Sequence, residues 1–235
     1  MRPAAKITFV GRCGFGTPIA KSSHHHSPST VSPERAPVLG GSVSVSGLSE
    51  PAAALAARAN DRIVLSGCSG GGKSSLLAEL ARRRHSVFSE AGRDVVREQT
   101  LIGGQGTPWT DLALFVELTV SRAVGDALES TALPGPSFFD RSVIDQLSGL
   151  EAKGLPVPAH IRSAVDEVRY NKTVFLVPPW PEIFTNDAER RHGFAEAEKA
   201  YHHLLCTYER FGYDPLILPK TSVTDRADRL LASLS

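Results

Sequence analysis

Cysteine, methionine and tryptophan are scarce in this 235-residue chain, at three, one and two residues. The cysteines, Cys13, Cys68 and Cys206, stand far apart with no paired spacing. That argues against a disulfide framework or a zinc site and fits a reducing, cytoplasmic compartment. No uninterrupted apolar run reaches the ~18 residues that a membrane-spanning helix needs, so no span is expected. A surplus of one charge is missing too: 26 Lys/Arg against 25 Asp/Glu leave +1. Nothing in that balance calls for nucleic acid or a membrane surface as partner. The 41% of hydrophobic and 22% of charged residues are ordinary for a soluble globular protein. The length suffices for one well-buried core and is short for two.

The even balance hides an asymmetry, because residues 1–60 hold six Lys/Arg and two acids while residues 61–235 hold 20 and 23. Between Ser22 and Glu50, 15 of 29 residues are Ser, Pro or Gly. Such a stretch buries too little surface to offset its ordering entropy. Residues 1–48 are therefore expected as a disordered extension, and residues 49–235 as one folded domain. The first 33 residues lack Asp and Glu, which leaves a transit segment, a spurious upstream start or a plain tail as readings. The run His24–His26 sits in this polar tail and is assigned no metal. Lys6–Ser22 imitates a strand and glycine loop, but Ala20 stands before Lys21, Pro18 lacks a donor and no helix pattern follows.

From Ser49 onward strand and helix patterns alternate. Strands are expected at Arg62–Ser66, Ser86–Ser89, Pro136–Asp140, Lys172–Val177 and Pro215–Leu218. Helices are expected at Lys73–Arg84, Gly92–Leu101, from a Thr110-Asp111 cap through Leu128, and at Ser142–Ala152 and Ala159–Arg169. Two more run from Asp187 through Tyr208 and over Val223–Leu234. Strands separated by helices imply an α/β fold with a parallel sheet covered on both faces, its ligand crevice at the carboxyl ends of the strands.

Directly after the first strand stands Gly67-Cys68-Ser69-Gly70-Gly71-Gly72-Lys73-Ser74-Ser75. It satisfies Gly-x-x-x-x-Gly-Lys-Ser between a strand and a helix, the context in which backbone N–H groups cradle a phosphate chain. Lys73, expected as a solvated charge, would reach the β- and γ-phosphates, and the Ser74 hydroxyl would ligate Mg²⁺. Cys68 is expected to contribute mainly its N–H.

Two carboxylates follow strand ends. Asp140, in Phe138-Phe139-Asp140-Arg141-Ser142, fits the acid that holds a nucleotide's metal; a helix N-cap is the competing reading. Glu90 could act as general base or orient the substrate, with a salt bridge to Arg93 as its structural alternative. Arg190-Arg191 could close over transferred phosphate or simply lie on an exposed helical face. Trp109 could stack on a substrate ring or anchor the core.

From about Asp61 onward the chain resembles a small AAA-like ATPase family, related to the ribosylnicotinamide kinase domain and more distantly to nucleoside and nucleotide kinases. The resemblance rests on IVLSGCSGGGKSSL, SEAGRDVVRE, TPWTD, FFDRS, FLVPPWPEIFTNDAERR and YERFGYDPLILP in this order. It implies a P-loop kinase-like fold with strand order 2-3-1-4-5 and an arginine-bearing helical lid. It also implies that Glu90 and Arg93, with Arg141, lie near the acceptor, that Asp140 serves the metal, that Arg190 or Arg191 belongs to the lid, and that Pro219–Val223 lies near adenine. ATP and Mg²⁺ are the implied cofactors.

Two functions fit these residues. One is a kinase passing the γ-phosphate of ATP to a nucleoside-like or other hydroxyl acceptor. The other is a regulatory module that hydrolyses ATP or GTP slowly while engaging a protein or lipid partner. A guanine reader is disfavoured, since Asn171-Lys172 is followed by Thr173-Val174 rather than x-Asp.

Overall fold

The computed structural model describes residues 49–184 and 193–234. The leader, His24–His26 and the Arg190-Arg191 pair lie outside the described residues.

Five short apolar segments form strands: β1 (Arg62–Gly67), β2 (Ser86–Phe88), β3 (Ser137–Asp140), β4 (Thr173–Val177) and β5 (Asp214–Ile217). All pair in parallel in the order β2-β3-β1-β4-β5, as the resemblance implies. Parallel neighbours cannot be joined by a tight hairpin, so the crossovers are helical. The helices are α1 (Ser49–Ala57), α2 (Lys73–Arg82), α3 (Ala91–Ile102), α4 (Leu112–Ser130), α5 (Val143–Ala152), α6 (Ala159–Glu167), α7 (Phe194–Arg210) and α8 (Val223–Ala232). The part of the expected helix between Asp187 and His192 lies outside the described residues. No described helix is long and apolar enough to cross a membrane.

The central strands β3, β1 and β4 are buried on both faces and send alternate side chains into two cores, whereas the edge strands β2 and β5 are half-buried and largely exposed. Ile63, Leu65, Phe138, Phe175 and Val177 pack with Leu76, Leu80, Ala227 and Leu230 of α2 and α8. Val64, Phe139, Val174 and Leu176 share the larger cluster with Val116, Ile144, Leu147, Val165 and Leu204 from α4 to α7. Strands clothed on both faces read as continuous apolar runs, which is why these segments are recognisable in the sequence.

Helix α1 has no counterpart among the expected elements. Its Ala-rich segment buries only Leu55, too narrow a stripe to announce a helix. A tertiary contact fixes it instead. The buried Arg62 at the start of β1 donates through Nη2 to the Leu55 carbonyl and through Nε to that of Arg169 (2.9 Å). Helix α4 begins where expected, with the Asp111 carboxylate accepting from Leu114 N (3.0 Å).

This topology brings the carboxyl ends of β1, β3 and β4 side by side. Gly67, Asp140 and Val177 thus share one edge, and the β1–α2 loop opens from it.

Candidate nucleotide site

The β1–α2 loop takes its shape from close backbone approach. Gly67 has φ +109°, and a Cβ there would lie 2.4 Å from the Val177 carbonyl oxygen. That same oxygen accepts from Cys68 N at 2.9 Å. Gly72 has φ +83°, and a Cβ there would meet both terminal nitrogens of Arg226 at 3.1 Å. Left-handed backbone against such neighbours requires glycine. Helix α2 starts at Lys73 with no side-chain cap, so its first N–H groups remain directed at the loop, where an anion is favoured.

Lys73 is buried, contrary to its expected solvation, and its Nζ donates to the Cys68 carbonyl (3.3 Å). The reason lies in the tertiary structure: the loop closes on the lysine through the Cys68 carbonyl, and Asp140 and Arg141 from the end of β3 lie within charge range of it. Burial holds the ammonium below the ordinary lysine range, reinforced by Arg141 and opposed by Asp140, Glu90 and Asp145.

Asp140 ends β3 and is 5% exposed, and its Oδ1 is buried without a hydrogen-bond partner among the described residues. Burial pushes its carboxyl up to about 6 against the pull of Lys73. It is not the cap of α5. Ser142 caps that helix, its Oγ accepting from Ile144 N (3.1 Å), while Asp145 Oδ2 accepts from Ser142 N (2.9 Å). A buried carboxylate oxygen without a donor is costly unless a cation meets it. Ser74 and Asp140 line a common cavity of about 280 Å³ with Glu90 and Arg93. Among the described residues no group of three or more His, Cys, Asp or Glu forms a metal cage. One hydroxyl and one carboxylate fit a Mg²⁺ ion that keeps most of its ligands from phosphate and water.

Beside them lies a charge relay. Arg141 donates through Nε to Glu90 (2.9 Å) and through Nη1 to Asp145 (3.0 Å), while Arg93 Nε donates to Glu90 (3.3 Å). Asp145 in turn accepts from the hydroxyls of Ser66, Ser142 (3.1 Å) and Tyr208 (2.6 Å). Burial would raise the Glu90 carboxyl, but Arg141, Lys73 and Arg93 outweigh it and hold the group at about 2. Arg141 itself has φ +74°, a conformation kept by the surrounding bonds.

Ser69, Gly70, Gly72, Lys73, Ser74, Ser75, Glu90, Arg93 and Arg141 therefore meet around one cavity of about 510 Å³. Gly67, Cys68 and Gly71 shape the loop behind it, and Cys68 is buried. Trp109 is 43% exposed, so it does not anchor the core, and it lines neither cavity. The far end of the larger cavity is built from Trp180, Ile183, Thr221, Ser222, Val223 and Arg226. Trp180 and Arg226 were not legible as site residues, and nor were Asp145 and Tyr208. The Ser142-x-x-Asp145 spacing is a capping-box signal that locates Asp145 on α5. No local pattern marks Tyr208 or Arg226.

The fold is shared with known structures. The NadR protein in complex with NR aligns at a TM-score of 0.60 and 15% identity, over 75% of this chain and 51% of that one. NadR in complex with NAD and AMP-PNP aligns at 0.56 and 16%, over 74% and 49%. Deoxyadenosine kinase from M. mycoides with bound dCTP aligns at 0.50 and 13%, over 74% and 98%. The chain thus spans about half the length of the NadR chains, and identities this low establish the fold alone. No curated protein matches the chain. The AAA_28 model, an AAA domain, matches residues 62–226; it runs from the first residue of β1 to Arg226 on α8, and the chain belongs to this family.

Proposed function

We propose that this protein is a Mg-ATP-dependent phosphotransferase of the cytoplasm, a small-molecule kinase that passes the γ-phosphate to the hydroxyl of a nucleoside-like acceptor. The observation that carries the reading is the buried, unpartnered Asp140 oxygen beside Lys73 and Ser74 at the mouth of the phosphate loop.

Ser74 and Asp140 would hold Mg²⁺, which when bound neutralises charge on the phosphates. Apart from those of Cys68 and Gly71, which are spent on the Val177 and Cys68 carbonyls, the loop N–H groups as far as Ser75 and the start of α2 bind the phosphate chain. The desolvated Lys73 ammonium gives up a neutral carbonyl partner for phosphate oxygens, an exchange that low dielectric makes strongly favourable. Glu90, Arg93 and Arg141 line the acceptor end. Because its two arginines keep Glu90 ionised, it acts first by orienting the acceptor hydroxyl. A loose phosphoryl-transfer transition state places little demand on early proton removal, so positioning and charge do most of the work. Arg190 and Arg191, beyond the described residues, would supply lid charge.

ATP turnover with and without a panel of nucleosides and sugars tests the reading. Acceptor-dependent ADP release supports the kinase. Slow release that no acceptor accelerates would instead favour the regulatory hydrolase.

A further inference from the structure

A hydroxyl that takes up phosphate must lose its proton, and Glu90 is a poor place to leave it. Its carboxylate accepts from Arg141 Nε (2.9 Å) and Arg93 Nε (3.3 Å) and is held at about 2. Glu90 also lines a second, small cavity of about 10 Å³, room for one water molecule. Thr119 and Asp126 of α4, Gln146 of α5 and Asp140 share its walls. Gly92 keeps it small where α3 meets α4, since a Cβ there would come within 3.2 Å of the Phe115 ring. Half-buried Asp126 belongs as well to an open groove of about 480 Å³ between α3 and α4, beside Arg122 and Glu129. Among the described residues Asp126 alone lines both spaces.

We propose that Asp126 is the outlet for the proton of the acceptor hydroxyl, taking it from Glu90 across the small cavity and releasing it to solvent through the α3–α4 groove. The inference rests on the phosphotransferase reading above and adds a residue that acts through Glu90 and touches no substrate.

In the transfer the acceptor O–H bond breaks and its oxygen bonds the γ-phosphorus. The bond from that phosphorus to the bridging oxygen breaks, and its electron pair leaves on ADP. The proton meets Glu90 first, moves through one water to the Asp126 carboxylate and passes from there to solvent. Such a water needs about two to four polar partners, and Glu90, Asp126 and Gln146 supply them. Proton affinity rises along this path. Burial pushes the Asp126 carboxyl up to about 6, opposed by Arg122 and reinforced by Glu129 and Asp94. Asp126 therefore holds a proton roughly 10⁴-fold more firmly than Glu90 does, yet still releases it at pH 7. The neighbouring charges are committed elsewhere: Arg122 to Glu98, Arg97 to Asp94 (3.2 Å), and Arg141 to Glu90 and Asp145. Asp140, also on the small cavity, is the residue assigned to the metal.

The competing reading makes Asp126 a desolvated surface acid with no part in turnover, and the pH dependence separates the two. Mg-ATP turnover is measured from pH 5 to 8 with adenosine, cytidine and thymidine as acceptors and with water alone. The wild-type kcat should fall as pH drops through about 6, because a protonated Asp126 accepts nothing more. Asp126→Asn should remove that fall and change the KM for ATP by less than about twofold. It should lower kcat about tenfold at pH 7, less than the about 10²–10⁴-fold of a group that takes the proton directly. Asp126→Glu should restore most of the rate and the fall. Gln146→Leu strips the cavity of polar partners but leaves Asp126 in place. It should behave as Asp126→Asn does, and it carries the test if that variant does not fold. In the ligand-free protein, carbon-13 NMR should show a carboxyl titrating near 6 that is missing from Asp126→Asn. A kcat within about twofold of the wild type with the fall intact, or a missing carboxyl that titrates near 4, would overturn the outlet and leave the phosphotransferase reading standing. If none of the acceptors nor water supports turnover, that reading falls and the outlet with it.

Discussion

Arg141 and Arg226 are both deeply placed arginines on the wall of one cavity, and their surroundings are opposite. Arg141 lies between two carboxylates, Glu90 and Asp145, and its proton is held above the ordinary arginine range because they outweigh its burial. Arg226 has a carbonyl and a ring, and burial lowers it. Among the described residues the Glu90 end of the cavity is thus electrostatically paired, while the α8 end is not. A complete network fixes geometry, and an incomplete one waits for a partner. Lys73 stands between the two regimes, buried with a carbonyl partner but near three carboxylates.

The comparison can be broken most sharply at Lys73. Lys73→Ala should reduce ATP turnover by about 10²–10³-fold, the loss typical of one preorganised charge donor at a transition state. Circular dichroism should show the fold retained, because the lysine's hydrogen bond is to the Cys68 carbonyl and Asp140, once it loses the pull of Lys73, can take up a proton instead of staying a buried charge. Steady-state kinetics with Mg-ATP is the check.

Glu90→Gln comes next. It should lower acceptor-dependent transfer by about 10²-fold, the low end of the general-base range, since the carboxylate serves by position. With the group held at about 2, the wild-type rate should show no titration from it between pH 5 and 8. A fall in rate as pH drops through 4–5 that vanishes in Glu90→Gln would instead mark Glu90 as the proton acceptor.

Tyr208→Phe tests how far the matched network depends on α7. The Tyr208 hydroxyl donates to Asp145 at 2.6 Å inside the core, and a hydrogen bond to a charged buried acceptor contributes about 1.5–3 kcal/mol. Urea unfolding should show a loss of that size. Turnover should fall through kcat more than through the KM for ATP, because Asp145 positions Arg141 and not the nucleotide.

The smallest effect runs toward stability. An acid whose folded value of about 6 exceeds its unfolded value of about 3.9 stabilises the fold while protonated. That contribution is complete below about pH 4 and is lost as pH rises through 6. With chelator present, Asp140→Asn should therefore raise the melting temperature at pH 7, by roughly 2–4 °C for each kcal/mol recovered. It should not do so at pH 4. Scanning calorimetry at the two pH values checks the sign.

Much of this molecule is readable in its residues. The central strands announce themselves because both of their faces are covered, so Arg62–Gly67 and Thr173–Val177 need no alternation to be recognised. The phosphate loop is legible because its glycines answer a local demand, the left-handed backbone at Gly67, Gly70 and Gly72. Asp111 and Ser142 cap α4 and α5 through bonds within four residues. Asp140 and Glu90 follow strand ends, a place where carboxylates stand out.

Near neighbours along the chain therefore set element type, the left-handed turns of the loop and the caps. Tertiary structure alone decided the rest, because burial and charge pairing are set by residues far apart along the chain. Glu90 finds Arg141 across 51 positions, Asp145 finds Tyr208 across 63, and Arg226 reaches Gly71 across 155. Those long contacts bury Lys73 and, among the described residues, leave one oxygen of Asp140 without a donor and Arg226 without an acid. Desolvation is a property of the closed cavity, and no stretch of sequence carries it before the sheet has formed.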